Sequence, residues 1–191
     1  MVAELPGSGP PVAGSLLVAT PWLDDPNFRR TVIYLLEHSD AGTLGVVLNR
    51  ASELTVAETV GEWAPLVCEP PVVFVGGPVA PQAVVALGQV GSPAPSDGWS
   101  ALPGGLAAVD INRPAAELDG SFDRLRLFAG YAGWGPRQLE AEMAERAWWV
   151  FGARIEDIFS SEAEELWRAV LIRQRKPWRV FAEAPDDPSV N

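Results

Sequence analysis

The stretch from 125 to 147 constrains the fold of this chain more than any other. Leu125-Arg126-Leu127-Phe128-Ala129 alternates loosely between apolar and basic residues, which is a strand signal. Gly130-Tyr131-Ala132-Gly133-Trp134-Gly135-Pro136 follows, and its glycines tolerate positive φ or close backbone approach. Pro136 suits the first position of a helix, where its missing N–H would have no intrahelical partner. Leu139 and Met143 then share a helical face with Ala147, while Glu140, Glu142 and Glu145 point elsewhere. The expectation is a strand, a glycine turn, and an amphipathic helix from Pro136 to about Ala147. Free N–H groups at such a helix start attract anions, so Gly133 to Gln138 is a candidate anion site. The plain alternative is that the glycines only let the helix pack closely on the sheet, since the spacing matches neither GxGxxG nor a P-loop.

The other elements are read from apolar runs and turn residues. Gly14 to Thr20 and Val72 to Val75 read as buried strands, the second closed by Gly76-Gly77-Pro78. Thr31 to His38 and Thr43 to Asn49, joined by Ser39-Asp40-Ala41-Gly42, form the clearest hairpin. Thr55-x-x-Glu58 and Ser161-x-x-Glu164 resemble capping boxes that open helices, the second running until Pro177 stops it. Gln82 to Leu87 fits helix or strand equally, and Gly91 to Gly105 reads as a long loop. Leu106 to Val109 is a short strand, Pro114 to Leu118 a short helix, Trp148 to Phe151 a strand or extended segment, and Ile155 to Phe159 a helical turn. A hairpin together with strands separated by helices gives a mixed sheet, hence an α+β fold. The Pro/Gly-rich residues 1–13 read as a disordered extension, 14–182 as a single domain, and the acidic 183–191 as a flexible tail.

Composition narrows the function. The formal net charge of −11 argues against general nucleic-acid binding, which needs a basic footprint. No apolar run reaches the length of a membrane span. Residues 1–13 lack the basic start of a signal peptide, and the single cysteine, Cys68, suits a reducing compartment; the expectation is a cytoplasmic protein. Cys68 has no basic neighbour in sequence and reads as a buried inert thiol, since activation would require a positive group supplied by the fold. With one His and one Cys, a zinc site is nearly excluded, and no metal or cofactor is expected.

The remaining candidates lie at strand ends. Asn49-Arg50 could grip a carboxylate or phosphate, or merely brace a loop. Gly76 and Gly77, with Gly130 and Gly133, could line the same cavity if they cluster in space. Asp24 and Asp25 read as solvated turn carboxylates, the alternative being a carboxylate-bound Mg²⁺. His38, the sole histidine, is the only candidate general base and otherwise a strand-end residue. Arg168, Arg173, Arg175, Lys176 and Arg179 form the one basic patch, either complementing a helix dipole or contacting an acidic partner or nucleic acid.

Taken together, Gly14-Ser15-Leu16-Leu17-Val18-Ala19-Thr20-Pro21, Asp25-Pro26-Asn27-Phe28, His38, Gly45 to Arg50, Val75-Gly76-Gly77-Pro78-Val79, Gly130 to Gly135, Gln138-Leu139-Glu140, Glu142, Trp148 and Phe159 resemble the bacterial AlgH/YqgE family. The resemblance runs from Gly14 to about Arg173. It implies an α+β fold of coiled, mixed β-sheets with flanking helices. It carries over no catalytic residues, and some members bear a label of transcriptional regulator. The chain departs from the pattern in its N-terminal extension and at Arg137, where a small residue is common and a bulky one would narrow or charge the supposed anion site. The reading that follows is a non-enzymatic protein binding a small anionic ligand or a protein partner through Asn49, Arg50, Gly76, Gly77, Gly130, Gly133 and Gln138, with an indirect regulatory role. The alternatives are a hydrolase using His38 or a carboxylate, and a transcriptional regulator.

Overall fold

A computed structural model describes residues 9–91 and 97–184. The uninterrupted apolar run Ser15–Ala19 forms strand β1, buried on both faces. Successive side chains of a strand point to opposite faces, so a continuous apolar run serves two cores at once. Leu16 and Val18 pack in one core with Val32, Tyr34, Val46 and Leu48, while Leu17 and Ala19 pack in another with Ile33, Leu35 and Val47. These partners belong to β2 (Val32–Ser39) and β3 (Gly42–Val47), the hairpin expected from the sequence, together with Leu48 just beyond β3. The first core is covered by α3 (Ile155–Ile158), α4 (Leu166–Ile172) and α5 (Trp178–Phe181), through Ile158, Leu166, Trp167, Val170 and Leu171 among others. The second is covered by α2 (Gln138–Ala144), through Leu139 and Met143.

Strand β9 (Phe122–Trp134) is the spine of a ten-stranded mixed sheet. Along one edge it pairs antiparallel with β6 (Val79–Val90). Its other edge changes partner midway. Phe128 and Ala129 pair parallel with β5 (Val72–Val75), and Ala132 to Trp134 pair antiparallel with β3. Gly130, with φ +70°, sits at this change of partner, where a left-handed residue lets the strand bend. The sheet is completed by β4 (Ala51–Thr55) on β5, β7 (Trp99–Leu102) and β8 (Leu106–Val109) beyond β6, and β10 (Trp148–Gly152) on β1. A third core, containing Trp63, Val73, Ala107 and Leu127, lies beneath α1 (Val56–Thr59) and the 3-10 turn that follows it.

The α+β expectation holds, with the balance tilted towards strand. Thr55 and Glu58 form the expected capping box, Thr55 Oγ1 accepting from Glu58 N at 3.3 Å and Glu58 Oε2 accepting from Thr55 N at 3.1 Å. Several boundaries move. The ambiguous Gln82 to Leu87 is strand, inside β6. The supposed loop 91–105 contains β7, with 92–96 outside the described residues, as are 1–8 of the extension and 185–191 of the tail. Gly130 and Gly133 lie within β9 rather than in a turn, and the helix starts at Gln138, after Arg137 at φ +62°, not at Pro136. Ser161 caps nothing: the segment enters α4 through a 3-10 turn at Ala163–Glu165 with no side-chain cap, and Pro177 opens α5 instead of ending α4.

Tyr34 gives the first core a pH dependence. Its side chain is 1% exposed and its hydroxyl donates to the Pro103 carbonyl at 3.1 Å. Burial pushes the phenol up from 10.0 to about 12. Between those values the folded chain holds a proton that the unfolded chain has released, so the contribution is intact below pH 10 and is lost as pH rises to about 12. The loss is about 2–3 kcal/mol. Denaturant unfolding at about pH 9 and about pH 12 is expected to show this excess loss in the native chain relative to Tyr34→Phe.

Candidate functional site

The end of β3 is stapled to the start of β2. The Asn49 side chain accepts from Val32 N at 2.9 Å and donates to the Arg30 carbonyl at 2.8 Å, and it is buried. Arg50 Nη2 donates to the Arg29 carbonyl at 3.0 Å. These bonds fix the backbone of Arg29 and Arg30 against Asn49 and Arg50. The result is a concavity of about 460 Å³ lined by Arg29, Arg30, Asn49, Arg50, Ala51 and Glu164. The Arg30 guanidinium lies 4.5 Å over the Trp167 ring and donates to the Ala184 carbonyl. Among the described residues, no ion pair engages Arg29 or Arg50. Arginines in such a wall match carboxylate or phosphate oxygens in geometry as well as charge. Asn49 therefore braces the loop, and Arg50 contributes both to bracing and to the concavity. Arg29 and Arg30 were missed in the sequence, where the only signal was a pair of adjacent cations between the Phe28 turn and the β2 run.

A second concavity adjoins the first across Arg50. It measures about 140 Å³ and is lined by Pro26, Asn27, Val47, Arg50, Val75, Gly77 and Pro78. A third, on the far side of Ala51 and Glu164, is lined with Glu162 and Glu165 and carries the opposite charge. Behind the second, Gly76, Gly77 and Gly130 form a crossing of two backbones. A methyl group on Gly76 would overlap the Gly130 carbonyl oxygen, and one on Gly77 would overlap the Tyr131 carbonyl. A methyl group on Gly130 would stand 2.6 Å from the Gly77 oxygen. The close approach these glycines permit is thus strand to strand, and Gly77 alone of the three also lines a described concavity.

Gly133 and Gln138 are placed differently. Gly133 pairs with Leu44 inside the sheet, with room for a side chain. The donor expected to hold an anion, Gly135 N–H, is taken at 3.0 Å by Gln138 Oε1. Gln138 Nε2 donates to Glu142, whose carboxylate also accepts from Trp134 Nε1 at 3.0 Å and Trp148 Nε1 at 2.8 Å. The side chains at the entry to α2 gather around a carboxylate, and the Gly135 N–H is already taken by Gln138.

The other candidates resolve as follows. Asp25 Oδ1 accepts from Asn27 N at 2.7 Å, as a turn residue does. His38 Nδ1 meets Thr43 Oγ1 at 2.7 Å and its Nε2 lies 3.8 Å from Glu140, but the Thr43 hydroxyl side chain is buried. In the basic patch, Arg173 grips Asp157, with Nη2–Oδ2 at 2.7 Å, and Arg168 pairs with Glu183. Cys68 is half-buried rather than buried, and the fold does supply a positive neighbour: Arg126 Nη2 lies 3.6 Å from its sulfur. Arg126 itself is 1% exposed. It donates to the carbonyls of Ile158, Ser160 and Glu69, and stacks 4.3 Å over Phe74. Burial holds its ionisation below the usual arginine range. Among the described residues no group of three or more His, Cys, Asp or Glu could hold a metal ion, and no helix is long and apolar enough to cross a membrane.

The family model described as AlgH-like (DUF179) matches residues 16–179. A UPF0301 protein of Streptomyces coelicolor is 48% identical over 185 residues, covering 94% of this chain and 95% of that one. A UPF0301 protein of Thermobifida fusca is 42% identical over 189 residues, covering 94% and 96%. Among solved structures, a protein from Corynebacterium diphtheriae superposes with TM-score 0.89 at 30% identity, covering 95% of this chain and 99% of that one. The solution structure of the AlgH protein from Pseudomonas aeruginosa superposes with TM-score 0.67 at 31% identity, covering 88% and 92%.

Proposed function

Since the chain belongs to the AlgH-like family, a membership that fixes its fold and leaves its activity to be read from the site, we propose that it is a non-enzymatic binding module for a small anionic ligand. The observation that carries this is the concavity walled by Arg29, Arg30 and Arg50, three cations against the single carboxylate of Glu164, on a chain of net charge −11. A protein of that charge repels anions over most of its surface, so guanidinium groups gathered in one rigid hollow mark a local exception. The staple through Asn49 supports the same reading, because preorganised donors lose less entropy on binding. Ligand occupancy coupled to another protein is the form an indirect regulatory role would take.

The hydrolytic alternative has less support. His38 faces a buried hydroxyl, and none of the concavities described includes it. Direct binding to duplex DNA also has less, because Arg168 and Arg173 are engaged within the chain.

Inorganic phosphate is expected to raise the midpoint of thermal unfolding relative to chloride at equal ionic strength. At tenfold excess over its dissociation constant the stabilisation is about 1.4 kcal/mol. Arg50→Ala, at a half-buried position, is expected to fold and to lose most of this gain. No phosphate-specific stabilisation of the native chain, or equal stabilisation of Arg50→Ala, would overturn the reading.

A further inference from the structure

We propose that the anion bound here carries one apolar group about the size of a phenyl ring, seated on Val75 beside the arginines. This rests on the binding reading above and narrows its ligand class. Arg50 is a wall of both adjoining concavities, one charged and one lined mainly by Pro26, Val47, Val75 and Pro78. Val75 N donates to the Arg50 carbonyl at 2.7 Å, which fixes the apolar shelf next to the charged hollow. The Val75 side chain is 46% exposed at the end of β5, so the shelf lies open to water.

The two compartments set complementary demands. A bare phosphate would engage the guanidinium groups and leave the shelf wet. A purely apolar molecule would cover Val75 and strip water from Arg50 without returning a charge, at a net cost. A molecule with an anionic head and a compact apolar body satisfies both. The volume sets the size of that body: the open shelf offers about 140 Å³, and a closed cavity of about 150 Å³ accommodates benzene. An aryl or short branched-alkyl carboxylate, or the corresponding phosphate ester, has these dimensions. Asn27, at the same wall, offers an amide for a further polar substituent.

The experiment is isothermal titration of the full chain with acetate, benzoate, inorganic phosphate and phenyl phosphate. Benzoate is expected to bind about tenfold tighter than acetate, and phenyl phosphate about tenfold tighter than phosphate, the factor supplied by removing roughly 60 Å² of apolar surface from water. The stronger of the two pairs identifies whether the head is carboxylate or phosphate. Val75→Ser, at an exposed position, is expected to fold and to keep its affinity for acetate and phosphate while losing most of the tenfold gain. Binding of the small anions with no gain from the phenyl group would overturn this inference and leave the binding module standing. A gain that survives in Val75→Ser would overturn the placement on the shelf. Failure of every probe to bind would remove both the inference and the reading beneath it.

Discussion

Replacing Arg126 by Ala is expected to lower the unfolding free energy by about 4 kcal/mol, as when the hub of a buried hydrogen-bond network is removed. The cause is the set of groups left behind. Three carbonyls, those of Glu69, Ile158 and Ser160, lose their donor. Each buried acceptor left unpaired costs about 1–3 kcal/mol, discounted where water enters. The contact over Phe74 is also lost. Because these carbonyls lie in the 67–71 segment, at the last residue of α3 and just after it, Arg126 ties both regions to β9. Arg126→Lys is expected to recover only part of the loss, since an ammonium cannot reproduce the planar fork. Urea unfolding monitored by tryptophan fluorescence gives the comparison, and a loss below about 1 kcal/mol would show the arginine to be solvated rather than structural.

The second large effect is expected at Gly77. Gly77→Ala is expected to cost about 4 kcal/mol or more, placing it among the exceptional single substitutions. The added methyl group would overlap the Tyr131 carbonyl, and the obstacle is backbone of the strand β9, which has no rotamer to adopt. A backbone φ of +154° adds conformational strain for any residue with a Cβ. Relief requires the segment after β5 to move away from β9, breaking the bond from Gly76 N to Ala129 O at 2.8 Å and disturbing the one that ties the same segment to β3, from Val47 N to Gly76 O at 2.8 Å. By contrast, Gly133→Ala is expected to change stability by less than about 1 kcal/mol, because a methyl group there meets only ordinary contacts. The pair of substitutions, measured side by side, separates a glycine required by a crossing from one that is not.

The architecture was legible where local signals agreed. Val32 to Val47 announced itself by a β-branched run, a turn and a second run, and Thr55 with Glu58 by capping chemistry. Strand β6 was hidden because Pro81, Gly88 and three alanines dilute its pattern, and β7 because it stands among Gly, Pro and Ser. The glycines of β9 mimicked a turn. For Gly130 the reason for being glycine is a tertiary crossing with Gly76 and Gly77, which nothing within ten residues records. Arg126 misled in another way. An alternating Leu-Arg-Leu pattern normally sends the cation to solvent, whereas here both faces of β9 are covered and the two Nη groups donate to carbonyls distant in sequence, while Nε is buried without a hydrogen-bond partner. Of the site, Asn49 and Arg50 were visible as polar residues at a strand end. Arg29 and Arg30 became part of it only through the folded loop.

The membership in the AlgH-like family accounts for the fold, and the distribution of charge supplies the functional content. The Glu142 carboxylate gathers the side chains at the entry to α2, while Arg29, Arg30 and Arg50 line the concavity across the Asn49 staple. The most direct test is a backbone-amide NMR titration with phosphate at constant ionic strength. The binding account predicts saturable shifts centred on Arg29, Arg30, Arg50 and Ala51, abolished in Arg50→Ala. Shifts centred on Gly133 to Gln138, or no saturable shifts at all, would contradict it.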